Sequence, residues 1–302
     1  MGLFRKKKAP EHIALSGKGK AKEVGQALAY VMGVENLYVF CQEESEKTQE
    51  ILAVLKQYCP NVLENAYPEG QRGCVMVFGD SDYYASVVKE GVDAPVVFWQ
   101  TSFLDACKLL PQGVEMPYIT IYDPNFYTPG SEAFTEGLVH LVQLGICLDA
   151  GLFDMVYSSF SLEKLVKRVT TMMVEVEEAV RDGSNAREYL TFGEPITTAL
   201  AQVGNGELSQ GEAMALGMLW TARCGVRAGR FPHQLYQDLD GVLSYLGLPR
   251  DYEVDGEEMK KAILGDREVA ENITLYLPWK KGACVPFETT YETLFRLLEK
   301  TK

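Results

Sequence analysis

The sequence predicts an α/β protein with a parallel-sheet domain over residues 1–128 and a mainly α-helical domain over residues 129–302. Three observations predict this arrangement. Short apolar runs alternate with helix-like segments in the first domain, which is typical of a parallel sheet covered by helices. Long runs with helical periodicity follow in the second domain. Between the two patterns, Thr128-Pro129-Gly130 supplies residue types that break regular structure.

Apolar runs of four to seven residues predict the strands of the first domain. Starting at residues 12, 37, 74, 94 and 118, they read HIAL, LYVFC, CVMVFGD, APVVFWQ and YITIYD. Two segments between them, AKEVGQALAYVMG and KTQEILAVLKQY, have the spacing of amphipathic helices. The first of these ends at Gly33, and glycine is a typical helix terminator.

The second domain is predicted to be helical over most of its length. Apolar residues recur at helical spacing in six segments, at 131–148, 161–181, 194–203, 209–229, 233–246 and 256–264. Gly and Pro residues separate these segments. The later stretch NITLYLPWKKGACVPF predicts a short β-hairpin instead.

Composition and charge narrow the classes of function. The chain has 302 residues, 47% apolar residues and a formal net charge of −13. We therefore expect no nucleic-acid partner, because binding a phosphate backbone needs a basic face. No run of about 18 apolar residues occurs, so no membrane partner is expected either. The N-terminal MGLFRKKKAP has no apolar run behind its charges, which argues against a secretory signal.

The cysteine pattern indicates reduced thiols, and the histidines do not form a familiar catalytic arrangement. Seven cysteines are scattered along the chain without any CxxC pair. This pattern favours buried, reduced thiols and predicts a cytoplasmic protein. His12 and His233 are expected at the start of a strand and of a helix, and no Ser-His-Asp or Cys-His spacing is found. The GKGK stretch at 17–20 lacks the surrounding pattern of a phosphate-binding loop.

Three stretches of the second domain resemble the 3-dehydroquinate synthase family of the sugar phosphate cyclases. REYLTFGEPITTA, from Arg187, is similar to the family pattern R-x-L-L-N-F-G-H-T-x-G-H-A. QGEAMALGM, from Gln210, is similar to H-G-E-A-V-A-x-G-M, and GLVHLVQLGICLD, from Gly137, is similar to G-L-A-E-V-I-K-Y-G-L-I-x-D. The resemblance is close over residues 131–300 and looser over 11–128. It implies a Rossmann-like NAD domain followed by a helical metal domain.

The resemblance implies a metal site at His140, Glu194 and Gln210. In the family a Glu and two His hold zinc at these places, whereas here the first is His, the second Glu and the third a neutral amide. A rebuilt centre and a lost one both stay open, and we expect a vacant site. Arg187 matches the family and is the candidate catalytic residue. Other polar positions of the motifs differ, at Gln143, Met173, Thr191 and Thr198.

The resemblance also implies a cofactor turn for NAD at Gly79 and Asp80. The family has three consecutive glycines after a strand, where this sequence reads VFGDSD. Backbone must approach a pyrophosphate closely, so Phe78 and the carboxylate of Asp80 are poor replacements for glycines. The family's P-x-G-E becomes PEGQ at residues 68–71, and its lysine-bearing loop is missing between residues 101 and 117.

These differences lead to two hypotheses of function. The family reaction oxidises a sugar-acid phosphate by transient NAD reduction, eliminates phosphate and closes a carbocycle, so it needs NAD, a metal and cationic anchors together. The first hypothesis is an inactive relative without cofactors that acts as a binding or interaction protein. The second is an active lyase of the 3-dehydroquinate synthase type, or a related cyclase, that uses NAD and a divalent metal such as zinc. The partner is a small molecule or a protein that the sequence does not name, and a homodimer stays open.

Overall fold

The computed structural model describes residues 13–67, 72–158 and 161–299. His12, the lysines of the N-terminal tail and the PEGQ stretch discussed above lie outside these ranges. The chain divides into two compact units, each described by itself below. Unit 1 comprises Met1–Pro129 and Leu162–Val174, and unit 2 comprises Gly130–Ser161 and Glu175–Lys302.

Unit 1 contains a parallel sheet whose central strands are buried along their whole length. The six strands of the described sheet are β1 (Ile13–Ser16), β2 (Asn36–Cys41), β3 (Asn61–Glu64), β4 (Cys74–Gly79), β5 (Val96–Gln100) and β6 (Ile119–Tyr122). They lie in the order β1-β6-β5-β4-β2-β3, and every neighbouring pair is parallel. Every residue of β4 and of β5 is buried, which explains why their sequences are continuous apolar runs rather than alternating ones.

Helices of unit 1 pack on both faces of this sheet. They are α1 (Ala21–Gln26), which continues as a π-helical segment over Ala27–Val31, and then α2 (Glu46–Leu55), α3 (Ser81–Lys89) and α4 (Phe103–Ala106). In one apolar cluster, Leu28 and Leu52 of the first two helical segments pack with Trp99. In the other, Tyr84 of α3 stacks on Phe98 with ring centroids 4.6 Å apart.

The adjacent strands β2 and β4 send their helices to opposite faces of the sheet. Helix α2 follows β2 and packs in the first apolar cluster, whereas α3 packs in the second. Side chains of consecutive strand residues point to opposite faces, so Phe98 and Trp99 face different clusters. Such a switch in direction opens a crevice beyond the carboxyl ends of the two strands, and open α/β sheets bind their ligands there.

Unit 2 is built from helices and one antiparallel hairpin. Its described helices are α5 (Glu132–Leu148), α6 (Ala150–Tyr157), the end of α7 (Leu162–Arg181), α8 (Ala186–Tyr189), α9 (Glu194–Val203), α10 (Gln210–Arg227), α11 (His233–Tyr245), α12 (Gly256–Leu264) and α13 (Tyr291–Glu299). The hairpin consists of β7 (Asn272–Lys280) and β8 (Ala283–Thr290). In the part of the chain that the structure describes, none of the helices has the length and apolar character needed to cross a membrane.

Helix α10 is the central element of unit 2, and most of its residues are buried. It begins with a capping box, in which the Glu212 N–H donates to Ser209 Oγ and the Ser209 N–H donates to Glu212 Oε2. Glycine allows α9 to cross it closely. A Cβ atom placed on Gly217 would lie 2.8 Å from the Thr197 nitrogen and 2.9 Å from the Gly193 carbonyl oxygen.

The predicted fold class, a parallel sheet followed by a mainly helical part, is confirmed. The apolar runs form strands and the six long periodic segments form helices, with ends that differ by at most two residues. The sequence analysis did not predict β3, α3, α4, α6, α8 or α13. Strand β3 lies at the edge of the sheet, and its residues are exposed apart from the half-buried Val62. Its sequence therefore does not show the apolar pattern of a buried strand. Residues 162–174 belong to unit 1, although the helical periodicity of α7 gave no sign of this.

Candidate functional site

The crevice between β2 and β4 is spanned by a reciprocal pair of hydrogen bonds. Gln42 follows β2 and Asp80 follows β4. The Asp80 N–H donates to Gln42 Oε1 at 2.8 Å, and Gln42 Nε2 donates to Asp80 Oδ2 at 2.6 Å. Gln42 and Asp80 could otherwise contact a ligand in this crevice, but they use their hydrogen-bonding groups on each other.

The N-terminus of α3 is occupied by two carboxylates of the chain itself. Asp80 is the N-cap residue, and its Oδ1 accepts a hydrogen bond from the Tyr83 N–H at 2.7 Å. Asp105 of α4 accepts the Ser81 N–H at 3.1 Å. Free N–H groups and the positive end of the helix dipole are what a phosphate would use at this position. In this structure the carboxylates of Asp80 and Asp105 accept these N–H groups and lie at the positive end of the helix dipole.

Gly79 leaves little room at the same turn. A Cβ atom on this residue would lie 2.8 Å from Gln42 Oε1 and 2.8 Å from Tyr83 Cδ1. Packing within unit 1, rather than the approach of a ligand, therefore requires glycine at this position. Together with the carboxylates of Asp80 and Asp105, this arrangement does not fit the pyrophosphate of NAD, and we derive no step through that cofactor.

Asp105 should lower stability at neutral pH through its buried charge. Burial raises the pKa of Asp105 above its ordinary value of 3.8; the Ser81 N–H lowers it, and the charge of Asp80 raises it. A carboxyl with a raised folded pKa contributes its stability fully below the unfolded pKa, and loses it as pH rises through the folded pKa. Replacing Asp105 by Asn keeps an acceptor for the Ser81 N–H and removes the charge.

We therefore predict that Asp105→Asn has a higher urea midpoint than the native protein at about pH 7, and that the two midpoints converge at about pH 3. Asp82 is exposed in the first turn of α3, so Asp82→Asn serves as a matched control with little expected change. A lower midpoint for Asp105→Asn at neutral pH would show that the charge stabilises α3 by more than its burial costs.

Lysines of the GKGK stretch lie near another buried acid, Asp123. Burial raises the pKa of Asp123, and the Asn125 N–H and the charges of Lys18, Lys47 and Lys20 lower it. Asp123 follows β6, which pairs with β1, the strand that precedes GKGK. These lysines thus lie close enough to a buried carboxylate to favour its charged form.

The three positions of the implied metal site lie on α5 and at the starts of α9 and α10. Glu194 is the first residue of α9 and Gln210 the first of α10, and both are exposed, whereas His140 is half-buried within α5. A Cβ on Gly211, next to Gln210, would lie 3.3 Å from the Cα of Glu136, one turn before His140. This contact places the start of α10 beside the His140 segment of α5.

A second contact ties α5 to the chain that precedes Glu194. The buried side chain of Gln143, one turn after His140, donates through Nε2 to the Phe192 carbonyl oxygen at 2.9 Å. His140 therefore lies on α5 between the turn that contacts the start of α10 and the turn bonded to the start of α9. Convergence of the three side chains stays a prediction, supported by this placement of their helices.

The side chains at these positions do not form an ordinary zinc site. In the residues that the structure describes, no group of three or more His, Cys, Asp or Glu side chains is placed to hold a metal ion. Gln210 contributes only a neutral amide, which zinc rarely accepts in place of His, Cys or carboxylate. The nearby Glu212 is engaged in the cap of α10. The donor set thus does not fit zinc, and we derive no step through a metal.

The remaining family positions are partly structural here. Gln143 stands where the family has a lysine, and its amide joins α5 to the Phe192 backbone as described above. Met173 is buried, as expected for a packing residue. Arg187, the candidate catalytic residue, is half-buried on α8, a helix that packs against α5 and β7. Its role in catalysis stays a prediction.

Sequence reasoning did not single out Gln42 or Asp105. Both lie just beyond the carboxyl ends of strands, Gln42 directly after β2 and Asp105 in the short helix after β5. Polar residues at the ends of parallel strands meet at one edge of a sheet, and this rule could have marked Gln42 as a candidate partner of Asp80. Asp105 had no such signal, because its contact with Ser81 depends on the orientation of α4.

Solved structures of sugar phosphate cyclases share this fold. The 2-epi-5-epi-valiolone synthase ValA from Streptomyces hygroscopicus subsp. jinggangensis 5008, solved with NAD+ and Zn2+, is 15% identical with a TM-score of 0.70, and the alignment covers 99% of this chain and 98% of ValA. A 2-deoxy-scyllo-inosose synthase, complexed with carbaglucose-6-phosphate, NAD+ and Co2+, is 14% identical with a TM-score of 0.69, covering 95% and 96% of the two chains. The fold is thus that of the sugar phosphate cyclases.

Sequence comparison finds similarity to 3-dehydroquinate synthases. Residues 137–269 match the model of the 3-dehydroquinate synthase C-terminal domain. The 3-dehydroquinate synthase of Streptococcus gordonii strain Challis is 26% identical over 226 residues, which is 70% of this chain and 60% of that enzyme. The chain is thus similar in sequence to 3-dehydroquinate synthases, at low identity. It spans about half the length of the curated relatives it matches, from 42% for the Mycolicibacterium gilvum enzyme to 60% for the Streptococcus gordonii enzyme.

Proposed function

We propose that this protein is a 3-dehydroquinate synthase relative that does not use NAD, has lost the cyclase reaction and acts as a binding or interaction protein. One observation carries the proposal. At the switch point of the sheet, Asp80 and Asp105 occupy the N–H groups that begin α3. A dinucleotide phosphate placed there would meet two carboxylates and would have to displace their hydrogen bonds.

The metal positions support the same proposal. The family reaction needs hydride transfer and metal chemistry in one enzyme, so the loss of either is sufficient to stop it. His140, Glu194 and Gln210 supply one imidazole, one carboxylate and one amide. A neutral amide is a weak ligand, and the set suits a loosely bound hard ion better than zinc.

An active cyclase with a rebuilt site is the second candidate. The observation that favours it is the fold itself, which matches cyclases over nearly the whole length of both chains. ValA and the inosose synthase were solved with NAD+ and with Zn2+ or Co2+, respectively. In this candidate, Arg187 would bind the substrate anion, and the protein would be a carbon-oxygen lyase.

NAD binding distinguishes the two candidates. Titration calorimetry with NAD+ up to about 1 mM is expected to give no saturable heat for the native protein, because like charges and filled hydrogen bonds oppose the pyrophosphate. A 3-dehydroquinate synthase measured in parallel is the positive control. A dissociation constant in the low micromolar range would contradict the proposal and show that another turn holds the cofactor.

Variants test whether the carboxylates of Asp80 and Asp105 are the reason that NAD+ is not expected to bind. Asp80→Asn combined with Asp105→Asn keeps the caps of α3 and removes both charges, so weak NAD binding should become measurable. Asp82→Asn removes an exposed charge from the same turn and should leave binding undetected. Phosphate release from the substrate of 3-dehydroquinate synthase, with NAD and zinc added, is expected to stay at the background rate. Release above background that is lost in Arg187→Ala would establish the active candidate instead.

A further inference from the structure

A groove in unit 2 has no assigned role. It runs between the loop before α12, helix α12 itself and helix α13, over one residue of α10, and has a volume of about 1070 Å³. We call it the α12–α13 groove. Its one lining residue from α10, Trp220, lies ten residues along the helix from Gln210. The volume is at the upper end of the range for small-molecule sites, and a short peptide segment would fill it.

The floor of the α12–α13 groove is apolar. Trp220, Met259, Phe295 and Leu298 line it. Trp220 is only 7% exposed, and its indole Nε1 has no hydrogen-bond acceptor among the described residues. The Nε1 atom is itself shielded from solvent, so Trp220 adds apolar ring surface to the floor and no accessible donor.

The rim of the groove is acidic. One lysine lines it, whereas the acidic lining residues are Asp251, Glu253, Asp255, Glu257 and Glu299. That lysine, Lys260, is already engaged, with Nζ 2.9 Å from Glu257 and 2.7 Å from Glu299. An occupant of the groove thus meets an excess of carboxylates, which attracts cations and repels anions.

We propose that the α12–α13 groove binds a basic peptide segment of a partner protein, in which an apolar side chain is flanked by lysines or arginines. The apolar side chain would pack on Phe295, Met259 and Leu298. Flanking cations would lie against Glu253 and the other rim carboxylates. A sugar-acid phosphate is excluded as an occupant, because its negative charges would face this rim.

This inference goes beyond the proposed function and does not depend on it. The groove is formed entirely by residues of unit 2 that are not at the NAD turn or at the implied metal positions. NAD binding, if it were found, would overturn the proposed function and leave the groove untouched. Failure of peptide binding would likewise leave the NAD result unchanged.

Fluorescence anisotropy of a labelled peptide tests the proposal. The probe is a hexapeptide of sequence Lys-Arg-Phe-Leu-Lys-Lys with blocked ends, and the control peptide has Glu in place of each basic residue. The probe should bind the full chain with a dissociation constant on the order of 10 µM, and the acidic peptide should not bind. Raising the salt concentration from about 50 mM to about 500 mM should weaken binding at least about fivefold, because exposed charges are screened.

Matched charge reversals locate the binding site. Glu253→Lys, on the rim, should weaken peptide binding about tenfold or more, since it replaces an attraction by a repulsion. Glu288→Lys changes the net charge equally from an exposed position on β8 and should leave the affinity within about twofold. Leu298→Ala removes apolar surface from the floor, so it should weaken binding about threefold to tenfold.

Three results would overturn the proposal. They are equal losses for Glu253→Lys and Glu288→Lys, an unchanged affinity in Leu298→Ala with full salt sensitivity, and no binding at about 1 mM protein. Sedimentation of the native protein should show no concentration-dependent association that Glu253→Lys abolishes. Such association would assign the groove to a second copy of this chain instead.

Discussion

Gln210→His is expected to raise the zinc affinity of the protein at least about 100-fold. The change gives the implied site one Glu and two His, counting Glu194 and His140, which is an ordinary donor set for zinc. Changes in residues that merely orient zinc ligands alter affinity roughly 10–100-fold, so supplying a missing ligand should have at least this effect. Elemental analysis after dialysis, followed by competition with a chromophoric chelator, measures the change.

Two controls make this result specific. Gln202→His places an additional histidine at an exposed position near the end of α9 and should not raise zinc affinity. In the Gln210→His protein, a second change, His140→Ala, should abolish the gain. If Gln210→His bound no more zinc than Gln202→His, the three side chains would not converge. Near-stoichiometric zinc in the native protein, lost in His140→Ala, would instead mean that the centre had been rebuilt.

Gly217→Ala is expected to destabilise the protein by at least about 3 kcal/mol, at the high end of the effects of overpacking. The new Cβ would lie 2.0 Å from Thr197 Oγ1, 2.8 Å from the Thr197 nitrogen and 2.9 Å from the Gly193 carbonyl oxygen. The hydroxyl can rotate away, but the two backbone atoms form the first hydrogen bond of α9, at 2.9 Å, and cannot move independently. Helices α9 and α10 must separate, and Glu194 must shift with them.

Gly241→Ala is a suitable control for this effect. Gly241 also lies within a helix, α11, and its new Cβ would meet only the Tyr157 ring at 3.6 Å, an ordinary contact. This substitution should stabilise the protein by about 0.5–1 kcal/mol, because alanine favours helix more than glycine does. Urea unfolding of both variants gives the comparison. Equal stability of Gly217→Ala and the native protein would show that the crossing of α9 and α10 is looser than described.

Much of the fold could be predicted from sequence because its patterns are local. The continuous apolar runs of β4 and β5 mark fully buried strands, and the long periodic segments of α5 and α10 mark helices. Short elements were not predicted, because a few residues are too few to show a local pattern. Helix α8 has four residues, and α3 is capped by Asp80, which the resemblance had placed in a ligand-binding turn.

The candidate site was harder to predict, because its key contacts join residues distant in sequence. Asp80 and Gln42 are 38 residues apart, and Gln143 and Phe192 are 49 apart. The resemblance marked Gln143 only as a departure from a family lysine. Its hydrogen bond to a backbone carbonyl became visible once α5 and the chain before α9 were packed together. The α12–α13 groove had no sequence signal, because its acidic residues resemble an ordinary solvated surface.

The pairing of Gln42 with Asp80 also changes how unit 1 responds to its surroundings. A turn that is completed by a bound molecule gains stability by mass action, about 2.7 kcal/mol when that molecule is at 100 times its dissociation constant, and loses it when the molecule is scarce. A side chain of the same polypeptide is always present at the same effective concentration. We therefore expect the folding of this turn not to depend on the supply of a bound molecule.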